Sequence, residues 1–184
     1  GDIRELAHSI LKKPVRVHVA AKNAAADTVE QAVYFVDKRN KPTLLKHVIA
    51  SHAMSRVIVF TRTKHGADKV ARSLAKAGIR AEAIHGNKSQ NARQRSLANF
   101  KSSKPPVLVA TDVAARGLDI DEVSHVVNYD LPDVAETYVH RIGRTGRAGA
   151  TGVAVSFCDR EERDSLRDIE KLLGKKTPIR DDHP

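Results

Sequence analysis

The sequence predicts an α/β fold, a mostly parallel sheet of six to seven strands with helices on both faces. Three observations predict it. Short, mostly apolar runs at 57–60, 107–110 and 153–157 lack regular polar alternation, which marks strands buried on both faces. Between them lie segments whose apolar residues recur at three- and four-residue spacing, the helical period. Strand and helix signals then alternate, so right-handed crossovers join parallel strands.

Taken in order, 1–13 reads as a short helix, with Ile3, Leu6, Ile10 and Leu11 on one side and Pro14 as its stop. Residues 15–19 alternate apolar and basic, as a half-buried or edge strand does, and 20–28 is small and polar, a linker. A strand follows at 29–36, then a helix at 41–53 with Leu44, Leu45, Val48 and Ile49 facing inward. Strand 56–61 leads to helix 64–77, whose Ala67, Val70, Ala71, Leu74 and Ala75 form one stripe and which Gly78 stops. Strand 79–84, helix 90–101 and strands 107–110 and 123–128 come next. Asp133-Val-Ala-Glu136 has the form of a capping box opening a helix that ends near Ile142. Strand 151–157 precedes Asp159-Arg-Glu-Glu162, a second capping box, and a helix to about 173. The tail, 175–184, is polar and expected to be loose.

Composition narrows the function. Lys and Arg number 32 against 22 Asp and Glu, a net charge of +10, which favours a polyanionic partner and salt-dependent binding. Aromatic residues are 4% and Trp is absent, so the grip on a nucleic acid would be on its backbone and not by base stacking. No apolar run approaches the roughly 20 residues that span a bilayer, and no basic-then-apolar leader opens the sequence, so a cytoplasmic protein without a membrane partner is expected. The single cysteine, Cys158, ends an apolar run and reads as a buried, inert thiol. Nine histidines show no pair at ligand spacing on one helix face, so no metal site is assigned.

The chemistry concentrates in His140-Arg-Ile-Gly-Arg-Thr-Gly-Arg147. Its arginines carry planar forks of donors suited to phosphate. Yet a nucleotide triphosphate needs a glycine-rich cradle, Gly-x4-Gly-Lys-Ser/Thr, and that pattern is missing. Gly174-Lys-Lys-Thr177 is a decoy, because it lacks the earlier glycine and follows a helix. In parallel α/β sheets the functional loops leave the carboxyl ends of the strands, which here carry Thr61-Arg62-Thr63, His85-Gly86 and Thr111-Asp112.

Ala110-Thr-Asp-Val-Ala-Ala-Arg-Gly-Leu-Asp119 and the octet 140–147 together resemble the fifth and sixth motifs of DEAD-box RNA helicases. Val57-Ile-Val-Phe-Thr-Arg-Thr63 resembles their fourth motif, Ser89-Gln-Asn-Ala-Arg93 their Gln-x-x-Arg element, and Val127-Asn-Tyr-Asp-Leu-Pro132 the linking segment. The N-terminal stretch and 29–36 are most similar to the bacterial RhlE-like group. The resemblance implies the second RecA-like domain of such a helicase at 29–174. It makes 1–28 the end of a preceding helicase domain with its linker, and 175–184 a tail.

It also implies roles. Arg144 and Arg147 match arginine fingers, which would reach the phosphates of ATP-Mg2+ bound mainly by the first RecA-like domain. His140 matches a position coupling the ATP and RNA sites, or is a packed helix histidine. Asp119 would meet the ribose and Arg116 acidic residues at the interface, or each would form a structural salt bridge. Arg141 is expected in ion pairs within the domain. RNA would contact Arg62, Gly86, Arg93, Thr111 and Asp112 through phosphates and sugars, independently of base sequence. Gln90 orders a helix start, and Asn87 receives no role. The chain alone is expected to be inactive as an ATPase. The other reading is a non-catalytic RNA-binding or protein-docking module.

Overall fold

The computed structural model describes residues 24–146 and 151–184; the helix and strand expected at 1–13 and 15–19, and Arg147, lie outside the described residues. The elements are α1 (Ala24–Asp27), β1 (Val29–Phe35), α2 (Lys41–Ser51), β2 (Val57–Phe60), α3 (Lys64–Lys76), β3 (Ala81–Ile84), α4 (Gln90–Phe100), β4 (Val107–Ala110), α5 (Asp112–Ala115), β5 (His125–Asn128), α6 (Ala135–Ile142), β6 (Gly152–Cys158) and α7 (Arg163–Leu173). Short 3-10 turns at Lys38–Asn40 and Arg160–Glu162 lead into α2 and α7.

All strand pairs in the six-stranded sheet are parallel, in the order β1-β6-β5-β2-β4-β3. Alternation within each strand divides the core. Ile58 and Phe60 face a layer with Tyr138, Ile142, Leu166 and Ile169, from α6 and α7. Val57 and Val59 face Leu44, Leu45, Val70 and Leu74, from α2 and α3. This two-sided burial is why the strands read as unbroken apolar runs. Each such Val, Leu or Ile side chain contributes roughly 1.5–3 kcal/mol of transfer free energy. Register also matters to polar groups: Asn128 stands opposite Ser156 and donates to its hydroxyl at 3.1 Å.

Local signals set the element ends. Gly78 sits at φ 79°, and the Gly78 and Ile79 N–H groups donate to the Ala75 and Leu74 carbonyls. That is a Schellman closure, and it delays the strand start from the expected 79 to Ala81. The capping box at Asp159 forms as expected, with Asp159 accepting from the Glu161 and Glu162 N–H groups and Glu162 from Asp159. The one expected at Asp133 does not: Val134 is the N-cap of α6 and gives no side-chain cap bond. The Asp133 carboxylate faces Arg62 Nη2 at 3.6 Å instead, so an ion pair takes the group that would have capped the helix. Two helical segments were not anticipated: α1 inside the expected linker, and α5 inside the fifth-motif segment.

The tail corrects its expectation as well. Val33 N–H donates to the Pro178 carbonyl and Arg180 N–H to the Val33 carbonyl, both at 2.9 Å. Tyr34 donates to Asp182 at 3.0 Å. β1 is an edge strand with outward main-chain groups to satisfy, and 178–180 closes that edge by a parallel bridge through Ile179.

Cys158 is buried at the end of β6, and burial, with the nearby Glu162 and Asp159 charges, pushes its thiol up to about 11. Gly174 is the left-handed C-cap of α7, at φ 72°, consistent with its exclusion as a phosphate loop. Among the described residues no helix is long and apolar enough to cross a membrane.

Removing 178–184 should cost roughly 1.5–4.5 kcal/mol, from the three hydrogen bonds above worth roughly 0.5–1.5 kcal/mol each, and should promote self-association through β1. Urea denaturation and sedimentation of the truncated chain test this; unchanged stability with a monomeric profile would contradict it.

Candidate functional site

The carboxyl ends of the strands share one edge of the sheet, and two buried cations organise it. Lys41 opens α2 and is 1% exposed. Its ammonium lies 2.8 Å from Glu162, 3.2 Å from Asp130 and 3.3 Å from Asp159. Burial alone would push the Lys41 pKa down, but Glu162 and Asp130 outweigh it and hold the ammonium above the ordinary lysine value. The carboxylates in turn hold main chain. Glu162 accepts from Leu131 N–H at 3.0 Å and Asp130 from Arg62 N–H at 2.9 Å. One ammonium thus ties α2 to the ends of β2, β5 and β6.

Arg141, on the inward stripe of α6, is 2% exposed and carries the second hub. Its Nε and Nη2 grip both Asp112 oxygens at 2.6 and 2.8 Å. Nη1 donates to the Asp130 carbonyl at 2.6 Å and to Asn128 at 3.3 Å. The guanidinium also lies 5.1 Å from the Phe60 ring centroid. A planar fork fits all these partners; a lysine could meet only some of them. The ion pair expected for Arg141 is therefore present, and Asp112 is its counterion.

Beside this hub lies a cleft of about 270 Å3, to which Arg116, His140 and Arg144 contribute with Asp112, Phe60 and Thr137. Arg144 donates from Nη1 to the Leu118 carbonyl and from Nη2 to the Ala115 carbonyl, each at 3.1 Å. Those two bonds fix the guanidinium at the end of α5. His140 and Arg116 are exposed, and Arg116 makes no ion pair among the described residues. Asp119 stands apart: it is 80% exposed and pairs with Lys101 at 3.3 Å.

The other expected contacts sit on the ends of β2, β3 and β4. Arg62 is about half exposed, with Nη2 donating to the Leu131 carbonyl at 3.1 Å and facing Glu162 at 3.6 Å. Thr111 is buried at the start of α5, and Arg93 is half-buried on α4. Gly86 is exposed in a loop that α3 pins from below. Buried His85 meets Asp68 at 3.0 Å, and its Nδ1 accepts from Asn87 N–H at 3.2 Å. That acceptor bond places the ring proton on Nε2, facing the carboxylate. Although burial disfavours its charged form, Asp68 is held below the usual carboxylate range by His85 and Lys88. Asn87 has a role after all, accepting from Lys64 at 3.2 Å. Ser89, and not Gln90, caps α4, accepting from Ala92 N–H at 3.1 Å.

Sequence reasoning missed Lys41, Asp130, Glu162 and the His85–Asp68 pair as site-building groups. Lys41 left one signal, since it shares the inward helical stripe with Leu45 and Val48 at i, i+4 and i+7.

With the geometry in place, comparison with known proteins is specific. The helicase conserved C-terminal domain family matches residues 40–149. DEAD-box ATP-dependent RNA helicase 21 of Oryza sativa subsp. japonica is 42% identical over 171 residues, which are 93% of this chain and 23% of that protein. The chain thus spans about a quarter of the length of that curated relative. The E. coli DEAD-box protein SrmB, solved bound to regulator of ribonuclease activity A, is 36% identical with a TM-score of 0.79, over 83% of this chain and 91% of that one. S. cerevisiae Dbp5 bound to RNA and ADP BeF3 is 31% identical with a TM-score of 0.82, over 96% of this chain and 48% of that one.

Lys41→Met should destabilise the chain by about 3–5 kcal/mol, because it strands buried carboxylates. A lysine pKa raised on folding stabilises below the unfolded value of about 10.4 and is lost as pH rises through the folded one. Urea melts should therefore show an alkaline loss above about pH 10.4 in the wild type that Lys41→Met blunts. Equal alkaline limbs in both would refute the hub.

Proposed function

This chain belongs to the DEAD-box helicases as a helicase conserved C-terminal domain, and on that premise we propose that it supplies one half of an ATP-driven, RNA-unwinding cycle. The other half is a first RecA-like domain of the same protein, which holds ATP. The observation that carries this reading is the Arg144 guanidinium, fixed by two carbonyls at the rim of a cleft shared with His140 and Arg116. Two of arginine's five N–H groups are used there, so three remain for phosphate oxygens. The donors fit a polyphosphate. They do not fit its Mg2+, because Asp112, the carboxylate lining this cleft, is committed to Arg141. The metal therefore falls to the first domain.

ATP contributes the phosphoryl group whose transfer drives the cycle. Arg144 offsets charge developing on the phosphates, and Arg147 is assigned the same role from its place in the octet. Asp119 exchanges Lys101 for a ribose hydroxyl, and Arg116 turns to acidic groups of the first domain. His140, between cleft and helix face, links nucleotide to RNA. RNA crosses the ends of β2, β3 and β4, held by Arg62, Gly86, Arg93, Thr111 and Asp112 on phosphates and sugars. Asp112 contributes through its main chain, since Arg141 takes both its carboxylate oxygens. Binding energy then selects the closed pair of domains, which bends the strand and parts short duplexes. The segment 29–36 supports placing the protein in the bacterial RhlE-like group, at work in the cytoplasm.

Two measurements test this. RNA-stimulated ATPase should be absent from the chain alone and present once a DEAD-box first domain is fused to it. Arg144→Ala in the fusion should then lower kcat by about 10³–10⁵-fold, as loss of an arginine finger does. An inert fusion with Arg144 intact would instead favour the non-catalytic docking module. Separately, anisotropy titrations with oligo(U) should show weak binding that falls with salt. Arg93→Ala should reduce the log–log salt slope by about 0.7; an unchanged slope removes Arg93 from the RNA contact.

A further inference from the structure

The two edges of the sheet are treated differently. The tail closes β1, whereas among the described residues no strand pairs with the outer side of β3. Which groups face outward follows from the ladder. The Arg80 carbonyl accepts from Val107 N–H and the Ile84 carbonyl from Thr111 N–H, so Arg80, Glu82 and Ile84 turn their main chain toward β4. By alternation, Ala81 and Ala83 turn theirs outward.

That edge is recessed. One cleft of about 390 Å3 runs between α3 and α4 over Ala81–Ile84, walled by the small side chains of Ala71, Ala75 and Ala92. A second, of about 450 Å3, continues it toward Gly78 and Pro106 and shares Ala75, Ala81 and Glu82 with the first. Together they form a slot along Ala81–Ala83, where the outward main-chain groups of Ala81 and Ala83 lie. Its charge is uneven. The Glu82 carboxylate is taken by Asn99 at 2.9 Å, and Asp68 by His85 and Lys88. Arg72 on one wall and Arg95 on the other are exposed and have no partner among the described residues.

We infer that this slot docks an extended, acidic peptide segment of a partner protein, which adds to the sheet beside β3. Ala81 and Ala83 supply the main-chain ladder, the alanine walls leave room for alternate side chains, and Arg72 and Arg95 select acidic residues on either side. A nucleic acid would use the arginines but leave the main-chain floor unsatisfied, so peptide is the better match.

The test uses the 184-residue chain panned against a random octapeptide phage library. The expected yield is β-branched sequences rich in Asp and Glu, and the synthetic peptides should shift the Ala81 and Ala83 amide resonances. Ala83→Pro removes an outward N–H that β4 does not use, a position where proline is tolerated. It should weaken binding about tenfold, the equivalent of one lost hydrogen bond, as should the pair Arg72→Glu and Arg95→Glu. Should Ala83→Pro fail to fold, Ala75→Trp, on an exposed position, blocks the slot without touching the core. Neutral or basic consensus peptides, or affinities equal in all variants, would overturn the proposal. So would an oligo(U) strand that shifts the same amides and displaces the peptide.

Discussion

The Lys41 ammonium is the point on which the working edge of this domain depends. A buried lysine is costly by itself, and here it is tolerated only because three carboxylates surround it. Those carboxylates come from the ends of different strands and turns, and each also accepts from a backbone N–H. The loops at the ends of β2, β5 and β6 therefore share one electrostatic reference point. Loops fixed this way keep their spacing without a large apolar contact between them, which leaves their outer faces polar, as the proposed RNA contact requires.

Arg141 extends the same frame toward the cleft that Arg144 lines. It meets the Lys41 cluster at Asp130, whose side chain serves one hub and whose carbonyl serves the other. Through Asp112 it holds the start of α5, while the end of α5 holds Arg144. A helix of four residues thus separates the expected RNA contacts at Thr111 and Asp112 from the proposed arginine finger, Arg144.

Much of this was legible in the sequence, and the exceptions share a cause. Strands such as Val57–Phe60 and Val107–Ala110 stand out because burial on both faces removes every polar residue. The stripe of α3 and the Schellman glycine at 78 are equally local signals. Arg116, His140 and Arg144 were singled out by the resemblance of their two motifs, as was the Arg141 ion pair, and the fold brings the first three to one cleft. What escaped was decided by partners distant in sequence. Lys41 looks like one of several surface bases until Glu162, Asp130 and Asp159 converge on it. Asp133 has the spacing of a cap, but Arg62 claims it. The tail has no strand signature of its own; it is ordered because β1 offers it an open edge.

The lone thiol has a practical side. Cys158 is shielded by the core and resists ionisation, so it should ignore maleimide and iodoacetamide near neutral pH. The natural chain can thus be treated as cysteine-silent. A single cysteine placed on the exposed face of α5, for instance at Val113, would carry a dye or spin label to a defined position. In a protein that joins this chain to the proposed first domain, distances from there to a second label would test the proposed opening and closing, with no need to alter the core first.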